Sequence, residues 1–441
     1  MKRYHFIGIG GVGMSALAEI LLSQGETVSG SDQKESLVTR RLVSKGAFIT
    51  YPQGQAALKE SDCVIYSTAI KKDNPEFLEA QEKGCQIKHR SELLESLFAA
   101  KEALVVTGAH GKTTTTALLA HTLMVGGKDP SYVVGGFSSS LESNGRAGLG
   151  PYFIAEGDES DGSFLRGRPK GAIITNVDDD HLDYWKTSKA LQEAYKAFIA
   201  KIERPSLFFY HGEDPSLSSW ALTGEAYGLS EKYPLYASDL SYEGSTTSFT
   251  VHNKKEKPVR IKLNLAGQHN VLNALGVFGL TRALGISVEA IKRAFLTFGG
   301  VGRRLEYKGE RDGAIIYDDY AHHPKEVEAT LLALKEMVKD RRCVVVFQPH
   351  RYSRLRDFMD SFTEALQGEK NLIVTDVYSA GEKEIPGVNA AALLERLPKS
   401  SCYVPRDSLT EFLKGFIQKD DCVITLGAGD ITHVSTELSR C

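Results

Sequence analysis

Thr107-Gly108-Ala109-His110-Gly111-Lys112-Thr113-Thr114-Thr115 follows the apolar run Ala103-Leu104-Val105-Val106 and precedes the helix-compatible run Thr116-Ala117-Leu118-Leu119-Ala120. A buried strand that ends in Gly-x-x-Gly-Lys-Thr and runs into a helix reads as a phosphate-binding loop. Its backbone N–H groups and helix N-terminus cradle phosphates, Lys112 reaches the terminal ones, and the Thr113 hydroxyl ligates Mg²⁺. The loop is a shortened variant: the usual pattern has four residues between its glycines, and Val106 stands five positions before Gly111. The competing reading, a glycine turn beside one solvated lysine, leaves the order of strand, turn, Gly-Lys-Thr and helix unexplained.

Downstream, the strand Tyr152-Phe153-Ile154-Ala155 ends in Glu156-Gly157-Asp158-Glu159-Ser160-Asp161. A carboxylate at the carboxyl end of a strand beside the loop is where a phosphate-loop enzyme holds its metal. The next strand, Gly171 to Asn176, leads to Val177-Asp178-Asp179-Asp180-His181-Leu182-Asp183. Acidic runs are commonly solvated turns and lone histidines commonly structural. Successive strand ends bearing Lys-Thr, carboxylates and an imidazole instead predict one metal-phosphate site at a sheet edge, with two Mg²⁺ ions.

Upstream, Tyr4-His5-Phe6-Ile7 runs into Gly8-Ile9-Gly10-Gly11-Val12-Gly13-Met14-Ser15 and a helix through about Ser23. This G-x-G-x-x-G expects a diphosphate at the helix N-terminus, and Asp32, after the strand Thr27-Val28-Ser29-Gly30, stands where a ribose-binding acid belongs. Further strands at Cys63 to Tyr66, ending at Ser67, and near Gln86-Ile87-Lys88 fill the space before the phosphate loop. About 100 residues make one compact unit, short of the six strands of a full dinucleotide fold, so a nucleoside diphosphate carried on another group fits better. Glycines serving only close helix-strand packing are the alternative.

The full length of 441 residues predicts two to four domains, each with its own core. With 53 basic and 56 acidic residues the formal net charge is -3, which gives no reason to expect nucleic acid or a membrane surface as partner. The six cysteines, at 63, 85, 343, 402, 422 and 441, form no C-x-x-C pair and read as reduced, buried thiols. The N-terminus lacks a signal-peptide pattern and no apolar run approaches a membrane span, so a cytoplasmic protein is expected.

Thr187 to Ile202 reads as an amphipathic helix, and Ser248 to Val251 with Val259 to Leu265 as a hairpin around Asn253-Lys254-Lys255. In Gly267-Gln268-His269-Asn270-Val271-Leu272-Asn273, Asn270 and Asn273 share a helix face, suited either to a purine edge or to capping. Phe298-Gly299-Gly300-Val301-Gly302-Arg303-Arg304 looks like a hinge whose arginines clamp a phosphate or lie solvated. Beyond it, strands at Ala314 to Tyr317, Cys343 to Phe347, Leu372 to Asp376 and Cys422 to Leu426 form a third α/β unit. Its strand ends carry Asp318-Asp319-Tyr320-Ala321-His322-His323-Pro324 and Gln348-Pro349-His350-Arg351-Tyr352-Ser353-Arg354.

GIGGVGMS from Gly8, TGAHGKTTT from Thr107, EGDESDGSF from Glu156, TNVDDDHLD from Thr175, HNVLNA from His269, GVGRR from Gly300, DDYAHHP from Asp318 and QPHRYSR from Gln348 together resemble the Mur ligase family over essentially the whole chain. The resemblance implies an α/β protein of three domains: an N-terminal Rossmann-like domain for the UDP substrate (1–99), a central P-loop ATPase domain (100–300) and a C-terminal Rossmann-like domain (301–441). It implies an ATP-dependent amide ligase of peptidoglycan synthesis, joining L-alanine to UDP-N-acetylmuramate as a monomer or homodimer. Catalytic roles then fall to Lys112, His181, His322 and His350. Gly108, Ala109, His110, Gly111, Lys112, Thr113, Thr114, Asn270, Asn273 and Arg304 would bind ATP. Thr113, Glu156 and His181 would hold Mg²⁺. Gly8, Gly10, Gly11, Gly13, Met14, Ser15, Asp32 and Ser67 would bind the UDP substrate, and Tyr320, His322, His350, Arg351 and Arg354 the carboxylate and amino acid.

Ala109 stands where the family commonly has Thr, Gly157 where it has Ala and Ala321 where it has Gly, none removing a functional side chain. Three alternatives remain at this point. A recycling ligase attaches a tripeptide to the same nucleotide sugar, a nicotinamide dehydrogenase would use Gly8 to Asp32 and have no need of Lys112, and a nucleotide-sensing module would not turn over.

Overall fold

The structure is a computed structural model and describes residues 2–54, 58–59, 62–141, 143–254 and 256–440; Lys255, Cys441 and the Asp183 side chain lie outside the described part. The strands form three sheets. In the first the order is Phe48–Thr50, Thr27–Ser31, Arg3–Ile7, Asp62–Tyr66 and Gln86–His89, all parallel. Among the described residues this is a five-stranded dinucleotide-type sheet. The strand carrying the first glycine loop is central in it, so Gly8 and Ser67 leave neighbouring strands at the same edge.

Ten strands make the second sheet, in which Glu102–Thr107 lies between Tyr152–Glu156 and Gly171–Ile174, parallel to both. Val106 is level with Glu156, and Thr107 with Ile174. The phosphate loop, the first acidic loop and the Asn176 turn therefore leave three adjacent strands at one level. The helix Lys112–Val125 packs against the sheet on one side and Val288–Thr297 on another. Thr114 to Leu123 are consequently all buried. Leu118, Leu119 and Leu123 are completely so, each contributing about 1.5–3 kcal/mol.

The third sheet runs Glu306–Arg311, Ala314–Asp319, Cys422–Leu426, Cys343–Phe347, Leu372–Val374 and Cys402–Tyr403. Its first strand is antiparallel and absent from the sequence reading, because Glu306 to Arg311 shows no apolar run. The signal was the turn: Asp312-Gly313, with φ of +50° and +83°, joins the two strands as a tight two-residue hairpin. The predicted hairpin also extends, since Thr246–Asn253 lies between Val259–Leu263 and a further strand, Leu235–Glu243. The helix expected at Thr187 to Ile202 spans Ser188–Ile199, capped by the Thr187 side chain.

The described chain divides into two compact bodies. One comprises residues 1–239, 249–263 and 271–299, with the first two sheets; the other comprises 240–248, 264–270 and 300–441. The main crossing falls between Gly299 and Gly300, inside the glycine-rich segment, where Gly300 takes φ +77°. The five described cysteines are free thiols, with Cys63, Cys85 and Cys422 buried and Cys343 and Cys402 half-buried rather than fully enclosed.

Candidate active site

In the first body the phosphate loop is held open by its own glycines. Gly108 (φ +137°) passes so close to Asn176 that an added Cβ would sit 2.9 Å from the Asn176 carbonyl oxygen. At Gly111 (φ +83°) a Cβ would meet Asn273 Oδ1 at 2.7 Å, which places the Asn273 amide against the loop. Asn176 Oδ1 accepts from the His110 N–H at 2.9 Å, and the His110 imidazole lies 3.1 Å from Asp178.

Lys112 Nζ donates to the Gly108 and Ala109 carbonyls, at 2.5 and 3.1 Å, and to Glu159 Oε1 at 2.7 Å. Burial opposes the ammonium charge, yet Glu159, Asp158 and Glu156 outweigh it and raise the Lys112 pKa. Thr113 Oγ1 donates to Glu156 Oε2 at 3.1 Å, and the Gly135 N–H donates to the other oxygen at 2.5 Å. Burial pushes the carboxyl groups of both Glu156 and Glu159 up. Asp158, though buried, is held down to about 2, chiefly by Arg90. His181, at φ +58°, directs Nε2 to within 3.6 Å of Asp180 and 3.8 Å of Glu159.

Two enclosed carboxylates thus share one lysine, and Glu159 Oε2 is buried without a hydrogen-bond partner among the described residues. That surplus of hard oxygen ligands fits a divalent cation. Thr113, Glu156 and His181 are within this cluster, as is Glu159, to which the sequence reading gave no role although it stands in the quoted acidic run.

The first glycine loop is built differently. Asp32 Oδ2 accepts the Gly10 N–H at 2.7 Å, and Ser31 O accepts from Gly8 and Ile9, so the loop is closed by its neighbouring strand. The helix Val12–Ser23 starts at Gly11 with no side-chain cap. Ser15 turns inward: its hydroxyl donates to Val12 O, its N–H to Gly11 O, and Asn144 donates to its oxygen. Met14 is buried in the first core.

In the second body Tyr320, His322, His350, Arg351 and Arg354 gather at the ends of Ala314–Asp319 and Cys343–Phe347. The His322 ring lies 5.1 Å from Tyr320 and 5.6 Å from His350, and His350 stacks on Tyr378. Arg354 Nη1 lies 3.3 Å from His350 Nδ1. Burial, His322 and the surrounding arginines push His350 down to about 3, so it is neutral at pH 7. Arg351 sits at φ +67°, its Nε buried and unpartnered among the described residues. Asp319, raised to about 6 by burial, accepts from the Leu305 and Ala321 N–H groups.

The two hinge arginines are engaged differently from each other. Arg303 is spent on the carbonyls of Gly427, Ala428 and Gly429, whereas Arg304 pairs with Glu326, and both lie over the Tyr320 ring. Asn270 Nδ2 donates to the Ala266 carbonyl, which precedes the helix Gln268–Ala283, at 2.7 Å.

Residues 3–102 match the Mur ligase family catalytic domain, 106–281 the Mur ligase middle domain and 303–429 the Mur ligase glutamate ligase domain. A UDP-N-acetylmuramate-L-alanine ligase of Protochlamydia amoebophila is 43% identical over 99% of this chain and 97% of its own. The chain belongs to the Mur ligase family. Another UDP-N-acetylmuramate-L-alanine ligase, from Geobacter sulfurreducens, is 41% identical over 98% of this chain and 96% of its own. The solved UDP-N-acetylmuramate-alanine ligase of Thermotoga maritima superposes with a TM-score of 0.86 at 31% identity, covering 100% of this chain and 99% of that one. A murein peptide ligase from Psychrobacter arcticus shares the fold, with a TM-score of 0.73 at 22% identity, covering 99% of this chain and 98% of that one. As a Mur ligase the chain has three α/β domains, and no helix among its described residues is long and apolar enough to cross a membrane.

Proposed function

We propose that this Mur ligase joins L-alanine to the lactyl carboxylate of UDP-N-acetylmuramate, consuming ATP and releasing ADP and phosphate in the cytoplasm. The observation that carries the reading is likeness across nearly the full length to enzymes of that activity, 43% in one case. Residues 1–99 would take the uridine diphosphate, 100–300 ATP and 301–441 the amino acid, in a monomer or homodimer.

A carboxylate is a poor acceptor for an amine, because its leaving group would be oxide. The lactyl oxygen therefore attacks the γ-phosphorus of ATP and ADP departs, leaving an acyl phosphate. The neutral amine of alanine adds to the acyl carbon and loses a proton, and the tetrahedral intermediate expels phosphate. Lys112 offsets charge on the transferring phosphoryl group, and the loop N–H groups hold it in line. Thr113 and Glu156 would hold one Mg²⁺ and His181 a second, where such ions supply Lewis-acid stabilisation of phosphoryl oxygens. Neutral His350, accepting from Arg354 at Nδ1, has its Nε2–H left to donate, which suits orientation of a carboxylate beside Arg351 and Arg354. His322 and Tyr320 would complete that pocket, while Asn273, whose amide lies against Gly111, would face ATP.

The test is turnover with UDP-N-acetylmuramate labelled with ¹⁸O in the carboxylate, with alanine and with the tripeptide L-alanyl-D-glutamyl-diaminopimelate offered separately. The expected result is alanine-dependent phosphate carrying one labelled oxygen. Turnover with the tripeptide alone would transfer the chain to the recycling branch, and light scattering fixes the oligomeric state.

A further inference from the structure

Arg90 opens the helix Arg90–Phe98 of the first sheet's domain, immediately after the cap His89. A cation in the first turn opposes the helix dipole, a cost of about 0.3–1 kcal/mol where a carboxylate would have been favourable. Helix stability therefore does not explain this arginine. Its Nη2 reaches across to the second sheet's domain, 2.6 Å from Asp158 Oδ2 and 3.4 Å from Asp161 Oδ2. Both carboxylates are already committed to shaping their loop. Asp158 Oδ1 accepts from the Ser160 N–H and hydroxyl, and Asp161 Oδ1 accepts from the Ser163 N–H. Between them stands Glu159, 2.7 Å from Lys112 Nζ, its main-chain carbonyl accepting from Trp185 Nε1 at 2.9 Å. On the other side of Arg90 lies the first glycine loop: a Cβ at Gly13 would sit 3.4 Å from Nη1.

We propose that Arg90 is a positioning residue for phosphate transfer: it pins the acidic loop from Asp158 to Ser163, so that Glu159 holds Lys112 at the mouth of the phosphate loop. The role rests on the reading of Lys112 as the phosphate contact. Among the described residues Arg90 hydrogen-bonds Asp158 and Asp161 rather than Lys112 or Glu159, so it acts through loop geometry, and it ties the domain of the first glycine loop to the chemistry of the second.

The experiment compares wild type, Arg90→Met and Arg90→Lys in steady-state kinetics with ATP varied at saturating nucleotide sugar and alanine. Thermal unfolding of each variant and calorimetry with ADP accompany it. The expected result for Arg90→Met is a KM for ATP raised about tenfold with an unfolding midpoint near that of wild type. Arg90→Lys recovers most of it, because a single nitrogen makes both contacts. In a Lys112→Ala background Arg90→Met adds no further loss of ADP affinity, the non-additivity of residues acting through one another. An unchanged KM for ATP in folded Arg90→Met, or an additive loss in the Lys112→Ala background, overturns the role. Should Arg90→Met fail to fold, the Asp158→Asn, Asp161→Asn double variant reads the same clamp from its other side, with the same expected and contrary results. Failure of wild type to bind ADP would instead overturn the reading of Lys112 itself, and this role with it.

Discussion

The two clusters of candidate site residues are opposites in charge. Around the phosphate loop, Glu156, Asp158 and Glu159 converge on Lys112, with His181 nearby, and burial has raised two of the three carboxyl groups. Around Tyr320, Arg303, Arg304, Arg351 and Arg354 surround two histidines, and burial with His322, Arg354, Arg351 and Arg303 keeps His350 neutral. An excess of carboxylate prepares a place for cations and, through them, phosphates. An excess of guanidinium, with a neutral imidazole, prepares a place for a carboxylate.

The largest expected effect breaks the first cluster. Lys112→Ala should lower ligation by about a thousandfold, since the phosphoryl group loses its fixed cation. The fold should survive, because Glu159, already pushed toward its neutral form, takes up a proton when its partner goes. Circular dichroism alongside phosphate release checks both parts, and full activity would refute the site. Glu156→Gln comes next: the Mg²⁺ concentration for half-maximal rate should rise about 10- to 100-fold, read from a metal titration. An unchanged titration would move the metal site elsewhere.

Arg351→Ala sharpens the contrast from the other side. It should raise the KM for alanine or nucleotide sugar about tenfold, while calorimetric ADP affinity stays at the wild-type value. Weakened ADP binding would contradict the division of labour.

A further effect concerns pH. His350 has a folded value of about 3, below the ordinary 6.5, so the unfolded chain binds the proton first as pH falls. Stability from this group is complete above about pH 6.5 and declines toward pH 3, by about 2 kcal/mol between pH 6 and 4 after allowance for partial exposure. Asp319 works the other way: raised to about 6, it favours the folded state as pH falls from 6 toward 4. Urea midpoints of His350→Gln should therefore fall less than wild type between pH 6 and 4, and an identical slope would discard the assignment.

Much of this was legible along the chain. Both glycine loops, the strand ends with Glu156 and His181, and the third α/β unit followed from apolar runs bounded by glycine and acidic turns. Less visible were features whose cause lies far away in sequence. The strand Glu306–Arg311 is polar and exists through its partner, with Asp312-Gly313 as the sole local sign. Ser15, at the end of the first glycine motif, faces inward and meets Asn144 from a distant segment. Arg303 and Arg304 are identical in type and adjacent, yet one binds three carbonyls and the other Glu326.

By itself the sequence determined which chemistry was available: strand-ending glycines, Lys112 and the acids set where the backbone could approach a phosphate, because those turns are local and few residue types tolerate them. Only the tertiary structure decided which charges meet. Glu159 becomes the partner of Lys112 because parallel pairing levels their strand ends, and Arg90 the partner of Asp158 across two sheets because burial makes unpaired charge costly, neither of which is written in any short stretch of chain.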